Sequence, residues 1–419
     1  MPVDQPVGAV YVREKLEDLA PEPLPATAGM PAAVVIVGGG GAGNAAAEML
    51  RREGYAGRLT MLSADTSVPY DRPKLSKGFL SGKSEESANP LRSSEFYQKH
   101  KIDLKLNVRV TAIDTKAREV RLADGSGHGY DALLLAPGAE PVRLDISGAD
   151  LPHVHYLRTV ADSRAIVVKA KTSRRAVVIG ASFIGLEVAA SLRTRGIEVD
   201  VVAPDKIPMV RILGAEVGNF FRKLHEDHGV TFHLETTATS IDDRSVTLKN
   251  GNRLEADLVV VGIGVKPALA LAEQAGLATD RGVTVDAYLQ TSAPNVYAAG
   301  DIARWPDRLT GEAIRVEHWV VAGRQGQTAA HNILGRRERF DCAPFFWTIQ
   351  YDFGLGYVGH AEKWDKADIA GSLEARDCTI SYSRDGRRLA MGIVNRNLDG
   401  LRAEVEFESL MAADTGGNR

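Results

Sequence analysis

Two glycine-rich turns at matched spacing carry the clearest chemistry in the chain. Gly38-x-Gly40-x-x-Gly43 follows the apolar run at 33–37, and Gly180-x-Ser182-x-x-Gly185 follows the apolar run at 176–179. Each opens an alanine-rich, helix-prone stretch, with Ala47 and Ala189 placed four residues past the last glycine. Short apolar runs without alternation suit parallel strands buried on both faces. There, the first glycine permits a tight strand-to-helix turn, the second lets backbone approach a pyrophosphate, and the third lets helix and strand pack closely. The diphosphate then rests on N–H groups at the positive end of a helix. The expected chemistry is binding of two dinucleotides, one per turn. Ala42 in the first turn and Phe183 and Ile184 in the second are contact candidates with the glycines. Serine at 182 crowds the pyrophosphate approach slightly but is small enough to allow it.

Other residues gain meaning from these turns. Asp205 lies twenty residues after Gly185. An acid there accepts hydrogen bonds from the ribose hydroxyls of NAD and repels the extra phosphate of NADP. Lys206 and Arg211 stand close by and weaken that discrimination. In the first unit the acid is displaced: Asp65 comes two places past Ser63 and is either a ribose ligand or a solvated turn residue. Ala299-Gly300-Asp301 follows an apolar strand, so Asp301 is a candidate acceptor for a ribityl hydroxyl, although a Gly-Asp turn alone is commonly just a turn. Glu187, inside the second turn's helix, reads on its own as a favourable partner for the helix dipole. His318 and Trp319, just ahead of a helix-like stretch at 320–334, read on their own as half-buried packing residues. His153 and His155 alternate as on a strand with no further ligand nearby, so they read as surface residues and no metal site is expected.

The elements that position these groups repeat. Asp124-Gly125 is followed by Asp131 and an apolar run ending at Gly138, and Asn250-Gly251 is followed by Asp257 and an apolar run ending at Gly264. Each half reads as strand, glycine turn, helix, small β-meander, then an apolar strand ending in glycine. The expected fold class is α/β: two Rossmann-like dinucleotide-binding domains plus a C-terminal α+β domain. Residues 1–30, with five prolines, read as an arm or linker. Residues 31–150 with 279–338 form a discontinuous first domain, 151–278 a second and 339–419 a third, with a frayed tail over 412–419. The 419 residues carry a net charge of −3, which favours neither nucleic acid nor an anionic membrane. No apolar stretch approaches the roughly 20 residues of a membrane span, and the N-terminus lacks a signal layout. The two cysteines, Cys342 and Cys378, are too far apart in sequence for a CxxC pair or a disulfide framework, which fits a cytoplasmic protein.

Together these residues resemble the two-dinucleotide-domain flavoprotein reductases, in particular the ferredoxin reductases of bacterial oxygenase systems and the apoptosis-inducing-factor-like proteins. The signature is the stretch VPYDRPKLSK at 68–77, and the segments EHWVVAGRQGQTAAHNILG and PFFWTIQYDFGLGYVGHAE are similar to the latter group. The resemblance covers roughly 31–400. It implies FAD at the first turn and a nicotinamide dinucleotide at the second, with hydride transfer from nicotinamide C4 to flavin N5; Asp205 makes NADH the expected donor and NADPH the less ready one. It implies that Arg72 and Lys77 contact FAD, that Lys77 lies near N5, and that Glu187 pairs with Lys77. It further assigns Val110 backbone to the adenine, Arg158 to the FAD, Asp301 to the ribityl chain, Glu317 and His318 to the nicotinamide and flavin, Trp347 to the flavin, and Gly264 to the nicotinamide channel; Trp319 is counted with His318.

Three departures stand out. The usual Ala-Thr-Gly is Ala136-Pro137-Gly138, which keeps Ala136 and Gly138 as contact candidates but lacks a hydroxyl. The usual Trp-Ser-Asp-Gln is Trp347-Thr348-Ile349-Gln350, which removes an acid, and Ser182 replaces a glycine. The resemblance implies a small iron–sulfur acceptor, a ferredoxin or Rieske-type protein; the sequence leaves monomer and homodimer both open. Disulfide reductases of the same plan carry a cysteine pair that this chain lacks. A redox-sensor role with slow NADH oxidation, or an NADH oxidase using Cys342, are the alternatives. The stretch AVYVREKLED resembles the segment that follows a Rieske domain in some relatives.

Overall fold

Short apolar runs alternating with alanine-rich helices build two five-stranded parallel sheets on one plan. The computed structural model describes residues 30–413 and the short strands Val3–Asp4 and Tyr11–Val12; the expected arm over 1–30 and tail over 412–419 otherwise lie outside the described residues. In the first sheet the order is Val296–Ala298, Ala132–Leu135, Ala33–Val37, Arg58–Leu62 and Asp103–Lys105. In the second it is Val154–Tyr156, Leu258–Val261, Arg175–Ile179, Glu198–Val202 and Val230–His233. Each glycine turn joins a central strand to a helix, Gly41–Arg52 in one case and Phe183–Thr194 in the other.

The repeat extends to single hydrogen bonds. Asp131 Oδ2 accepts from the N–H groups of Ala32 and Ala33, both at 2.9 Å, and Asp257 Oδ2 accepts from Arg174 and Arg175 at 2.8 and 3.1 Å. In both units this aspartate satisfies donors at the start of the strand that leads into the glycine turn and holds the neighbouring strand, Ala132–Leu135 or Leu258–Val261, beside it. The two meanders also match: Val110–Asp114 and Ala238–Asp242 each carry a register shift near their first residue.

His153 and His155 are not surface residues as expected. His153 is buried and His155 half-buried, flanking the first residue of the edge strand Val154–Tyr156, and desolvation lowers both imidazoles below the ordinary range. The pattern predicted a strand, but the chain packed over that edge is remote in sequence.

The C-terminal part is a five-stranded antiparallel sheet in the order Phe345–Gln350, Phe353–Gly359, Arg387–Val394, Asp377–Arg384 and Lys366–Ser372. Helix Asn397–Ala413 packs on it through Ala403, Phe407 and Met411. No helix of the described residues is long and apolar enough to cross a membrane.

Helices Gly41–Arg52 and Trp319–Ile333 cross closely because Gly326 has no side chain: a Cβ there would lie 2.2 Å from Ala42 O. Gly326→Ala should therefore lower the thermal unfolding midpoint, with the ~1–3 kcal/mol cost of overpacking. Gly323→Ala on the same helix meets nothing within 4 Å and should be neutral or stabilising. Equal midpoints for the two variants would contradict this account of the crossing.

Candidate functional site

The two turns use their glycines differently. A Cβ on Gly38 (φ +117°) would lie 2.0 Å from Ala136 O, and one on Gly43 would lie 1.9 Å from Gly38 O. A Cβ on Gly40 would meet only Arg72 Nη2, at 3.5 Å. The outer glycines thus answer to packing, while the middle one leaves a cradle beside a guanidinium. Desolvation first, then repulsion from Arg158, works against the Arg72 cation, and Arg72 Nε has no protein partner. An anion relieves both. Gly40, the N-cap of Gly41–Arg52, makes no side-chain cap, so the first helical N–H groups stay available.

The second turn repeats the outer contacts: Cβ atoms on Gly180 and Gly185 would lie 2.3 Å from Gly262 O and 2.1 Å from Gly180 O. Ser182 fits because its backbone is extended (φ −89°) and its Oγ turns back to donate to Gly262 O at 3.0 Å. Phe183 is half-buried and Ile184 exposed at the helix start. Beyond the strand, Asp205 Oδ1 accepts from Arg211 Nη2 at 3.0 Å, so acid and base form one exposed pair.

Arg158 precedes Thr159, whose capping box with Asp162 starts helix Val160–Ala170. Its Nη2 donates to Asp301 Oδ2 at 2.6 Å beside Gly138, where a Cβ would lie 3.0 Å from Arg158 Nη2 and 3.9 Å from Asp301 Oδ2. Asp301 O accepts from Arg315, which also donates to Glu317 Oε1 at 2.6 Å. Gly300 N donates to the buried Gln325 Oε1 at 2.8 Å, and a Cβ on Gly300 would meet Ala42. Trp319 lies against Gly41. Asp65 is half-buried and accepts from Tyr70 O–H at 2.6 Å and Ser67 N at 3.0 Å; burial pushes Tyr70 up to about 12, which keeps it a donor.

Lys77 and Glu187, 110 residues apart, form a 2.8 Å ion pair. Glu187 is 4% exposed. Its Oε2 also accepts from Ser76 Oγ at 2.5 Å and its Oε1 from Thr348 Oγ1 at 2.7 Å. Beside this centre, Phe346 packs against Phe183 (5.0 Å), His318 (4.6 Å) and Tyr357 (5.0 Å). Desolvation pushes His318 down to about 3, so the ring is neutral. His318 Nδ1 and Gln325 Nε2 join Arg72 Nε as buried polar atoms without protein partners. A phosphate-bearing ligand with ring donors and acceptors fits such a lining.

The remaining candidates occupy strand ends and turns. Val110 opens its meander strand opposite Leu122. Gly264 (φ +112°) is exposed, and its carbonyl accepts from Val142 N. Trp347 is half-buried and stacks 6.3 Å from Phe345. Ile349, where resembling proteins carry an acid, is 48% exposed and points to the opposite side from Thr348 and Gln350. Ser76, Gln325, Arg315 and Phe346 are not among the residues expected from the sequence, and Thr348 enters there only as part of the motif at 347–350; the alternation in FFWTIQ is the available signal for Phe346 and Thr348.

Residues 32–326 match the family described as pyridine nucleotide-disulphide oxidoreductase, and residues 345–411 match the one described as reductase C-terminal. Rhodocoxin reductase from Rhodococcus erythropolis is 36% identical over 381 residues, covering 88% of this chain and 89% of that protein. Human apoptosis-inducing factor 3 is 35% identical over 83% of this chain, which spans 58% of that protein. Among solved structures, the covalent putidaredoxin reductase–putidaredoxin complex superimposes with a TM-score of 0.86 at 34% identity, over 90% of this chain and 93% of that one.

Glu187 predicts a large asymmetry between breaking and keeping the pair. Lys77→Met leaves a buried carboxylate without its cation and should cost ~3–5 kcal/mol. Arg211→Met removes a pair whose side chains are 80% and 40% exposed and should cost ~0–1 kcal/mol. Urea unfolding of both variants checks the difference, and comparable losses would mean that Glu187 is not isolated from water.

Proposed function

The chain belongs to the pyridine nucleotide-disulphide oxidoreductase family, and from that premise we propose that it is an FAD-dependent NADH:ferredoxin oxidoreductase. The observation that carries this reading is the Lys77–Glu187 pair, a cation from the first dinucleotide unit held by a buried acid of the second. Bound FAD supplies the conversion between a two-electron nicotinamide donor and a one-electron iron–sulfur acceptor. The chain's own residues bind, orient and shield. Arg72 and the Gly40 backbone take the pyrophosphate, Asp301 and Arg158 the ribityl and ring end, and Val110 and Asp65 the adenosine end. Lys77 presents the charge that stabilises reduced, anionic flavin. Neutral His318, with Phe346 and Trp319, keeps water from the reacting face, and Glu317, Gly264 and the turn from Gly180 to Gly185 receive the nicotinamide dinucleotide. Residues 31–150 with 279–338 serve as the FAD domain, 151–278 as the NAD(P)H domain and 339–419 as the C-terminal domain.

Two arguments support an iron–sulfur acceptor. The relatives include reductases named for rhodocoxin and putidaredoxin, and a similar structure is a complex with putidaredoxin. Electrons also have no dithiol exit: Cys378 is fully buried, and burial pushes the Cys342 thiol up to about 11, which keeps it protonated and a poor nucleophile. That same protonated thiol speaks against the NADH oxidase alternative.

Purified protein should be yellow and release FAD on heating; a colourless protein that ignores added FAD would sink the reading. With NADH and cytochrome c, added small iron–sulfur proteins should raise turnover well above the reaction with oxygen. Lys77→Ala should slow flavin reduction in stopped flow by about 10–100-fold, matching the ~1.5–3 kcal/mol of a hydrogen bond to a charged group.

NADH is the preferred donor because Asp205 can take the ribose hydroxyls. Asp205→Ala should erode that preference, and Arg211→Ala, which frees the carboxylate from its ion pair, should sharpen it. Equal or faster flavin reduction by NADPH in the unaltered chain would overturn the assignment.

A further inference from the structure

Glu187 is the end of a longer polar chain. Thr348 Oγ1 donates to Glu187 Oε1 at 2.7 Å, and Gln350 Nε2 donates to Thr348 Oγ1 at 3.2 Å. Gln350 Oε1 lies 2.7 Å from His225 Nε2, and Tyr351 O–H lies 3.3 Å from His225 Nδ1. Thr348 is 1% exposed, and Gln350 and His225 are fully buried.

The donor directions are forced by the carboxylate. A carboxylate only accepts, so the single Thr348 proton is committed to it and Thr348 must accept from Gln350. The Gln350 amide nitrogen therefore faces Thr348, and its oxygen faces His225. That makes His225 Nε2 the protonated nitrogen and leaves Nδ1 to accept from Tyr351. Burial pushes His225 down to about 4, which keeps the ring neutral as this tautomer. Every donor points the same way, towards Glu187. Tyr351 in turn stacks at 3.7 Å on the exposed His228, so the chain ends at solvent.

The path crosses all three parts of the molecule. Ser76 and Lys77 belong to the first unit, Glu187 and His225 to the second, and Thr348, Gln350 and Tyr351 to the C-terminal sheet. Gln350 pairs across the hairpin with Phe353, whose ring packs on Phe220 and Phe221, and the His225 ring meets Phe232; apolar side chains there would pack without the desolvation cost of an amide and an imidazole.

We propose that Thr348, Gln350 and His225 are positioning residues that hold Glu187 for Lys77 through this one-directional chain, so that the charge presented to the flavin depends on how the C-terminal sheet is seated. The inference rests on the flavin site assigned above. Each donor to Glu187 draws negative charge away from Lys77. Removing one tightens the Glu187–Lys77 attraction and weakens the positive field available to reduced flavin.

The test is the midpoint potential of bound FAD, measured spectroelectrochemically on the full chain. Thr348→Val keeps the shape and loses the donor. It should lower the reduced-to-oxidised ratio at fixed poise on the order of tenfold, ~30 mV for a two-electron couple. Thr348→Ser should restore the wild-type potential. In a Glu187→Gln background, Thr348→Val should shift nothing further. Gln350→Met, which breaks the chain one link out at similar volume, should shift the potential in the same direction by less, and gives a second route should Thr348→Val fail to fold. A wild-type chain without flavin overturns both the function and the inference. A flavin-loaded chain whose potential ignores Thr348→Val, or shifts equally in the Glu187→Gln background, overturns the inference alone.

Discussion

A carboxylate shut away from water must be met by donors, and Glu187 collects its donors from two stretches remote from its own helix. Ser76 and Lys77 reach it from the segment between strands Arg58–Leu62 and Asp103–Lys105 of the first sheet, and Thr348 from the C-terminal sheet. An uncompensated buried charge costs several kcal/mol, so this carboxylate constrains how the three parts assemble. Lys77 is in turn held at one place between them. The placement of the Lys77 cation thus follows from a solvation requirement.

The two dinucleotide units show how one plan yields two sites. Their outer glycines, their strand-start aspartates and their meander irregularities coincide. They differ at the middle of each turn. The first turn leaves open space under Arg72, while in the second Ser182 folds its hydroxyl onto Gly262 and leaves the approach to backbone. The first unit is also closed by Trp319–Ile333, a helix that packs on the fingerprint helix.

Much of this was legible in the sequence, for physical reasons that differ by residue. Ala33–Val37 could be read to the residue because a strand buried on both faces must be wholly apolar. The repeat was legible because Asp131 and Asp257 perform the same local duty. The Lys77–Glu187 pair came only from the family resemblance: nothing within either segment points to a partner 110 residues away. Alternation in FFWTIQ places Thr348 and Gln350 on one face of their strand, but neither their partners nor the burial of His225 is legible, because a buried polar side chain looks, in sequence, like an exposed one. His153 misled for the same reason. Gly326 sat unremarked within a helical pattern, since its duty lies in another helix's backbone.

The first sheet has a further consequence for how the molecule is made. Its edge strand Val296–Ala298 pairs with Ala132–Leu135, which leaves the ribosome roughly 160 residues earlier. At ~5–20 residues per second, the nascent chain carries an unpaired, fully apolar strand edge for about 10–30 s while the second unit is translated. An exposed edge of that kind is a template for pairing with other chains. Discontinuity in the gene order thus sets a period of vulnerability during synthesis, and a second unit that folds quickly on its own shortens it.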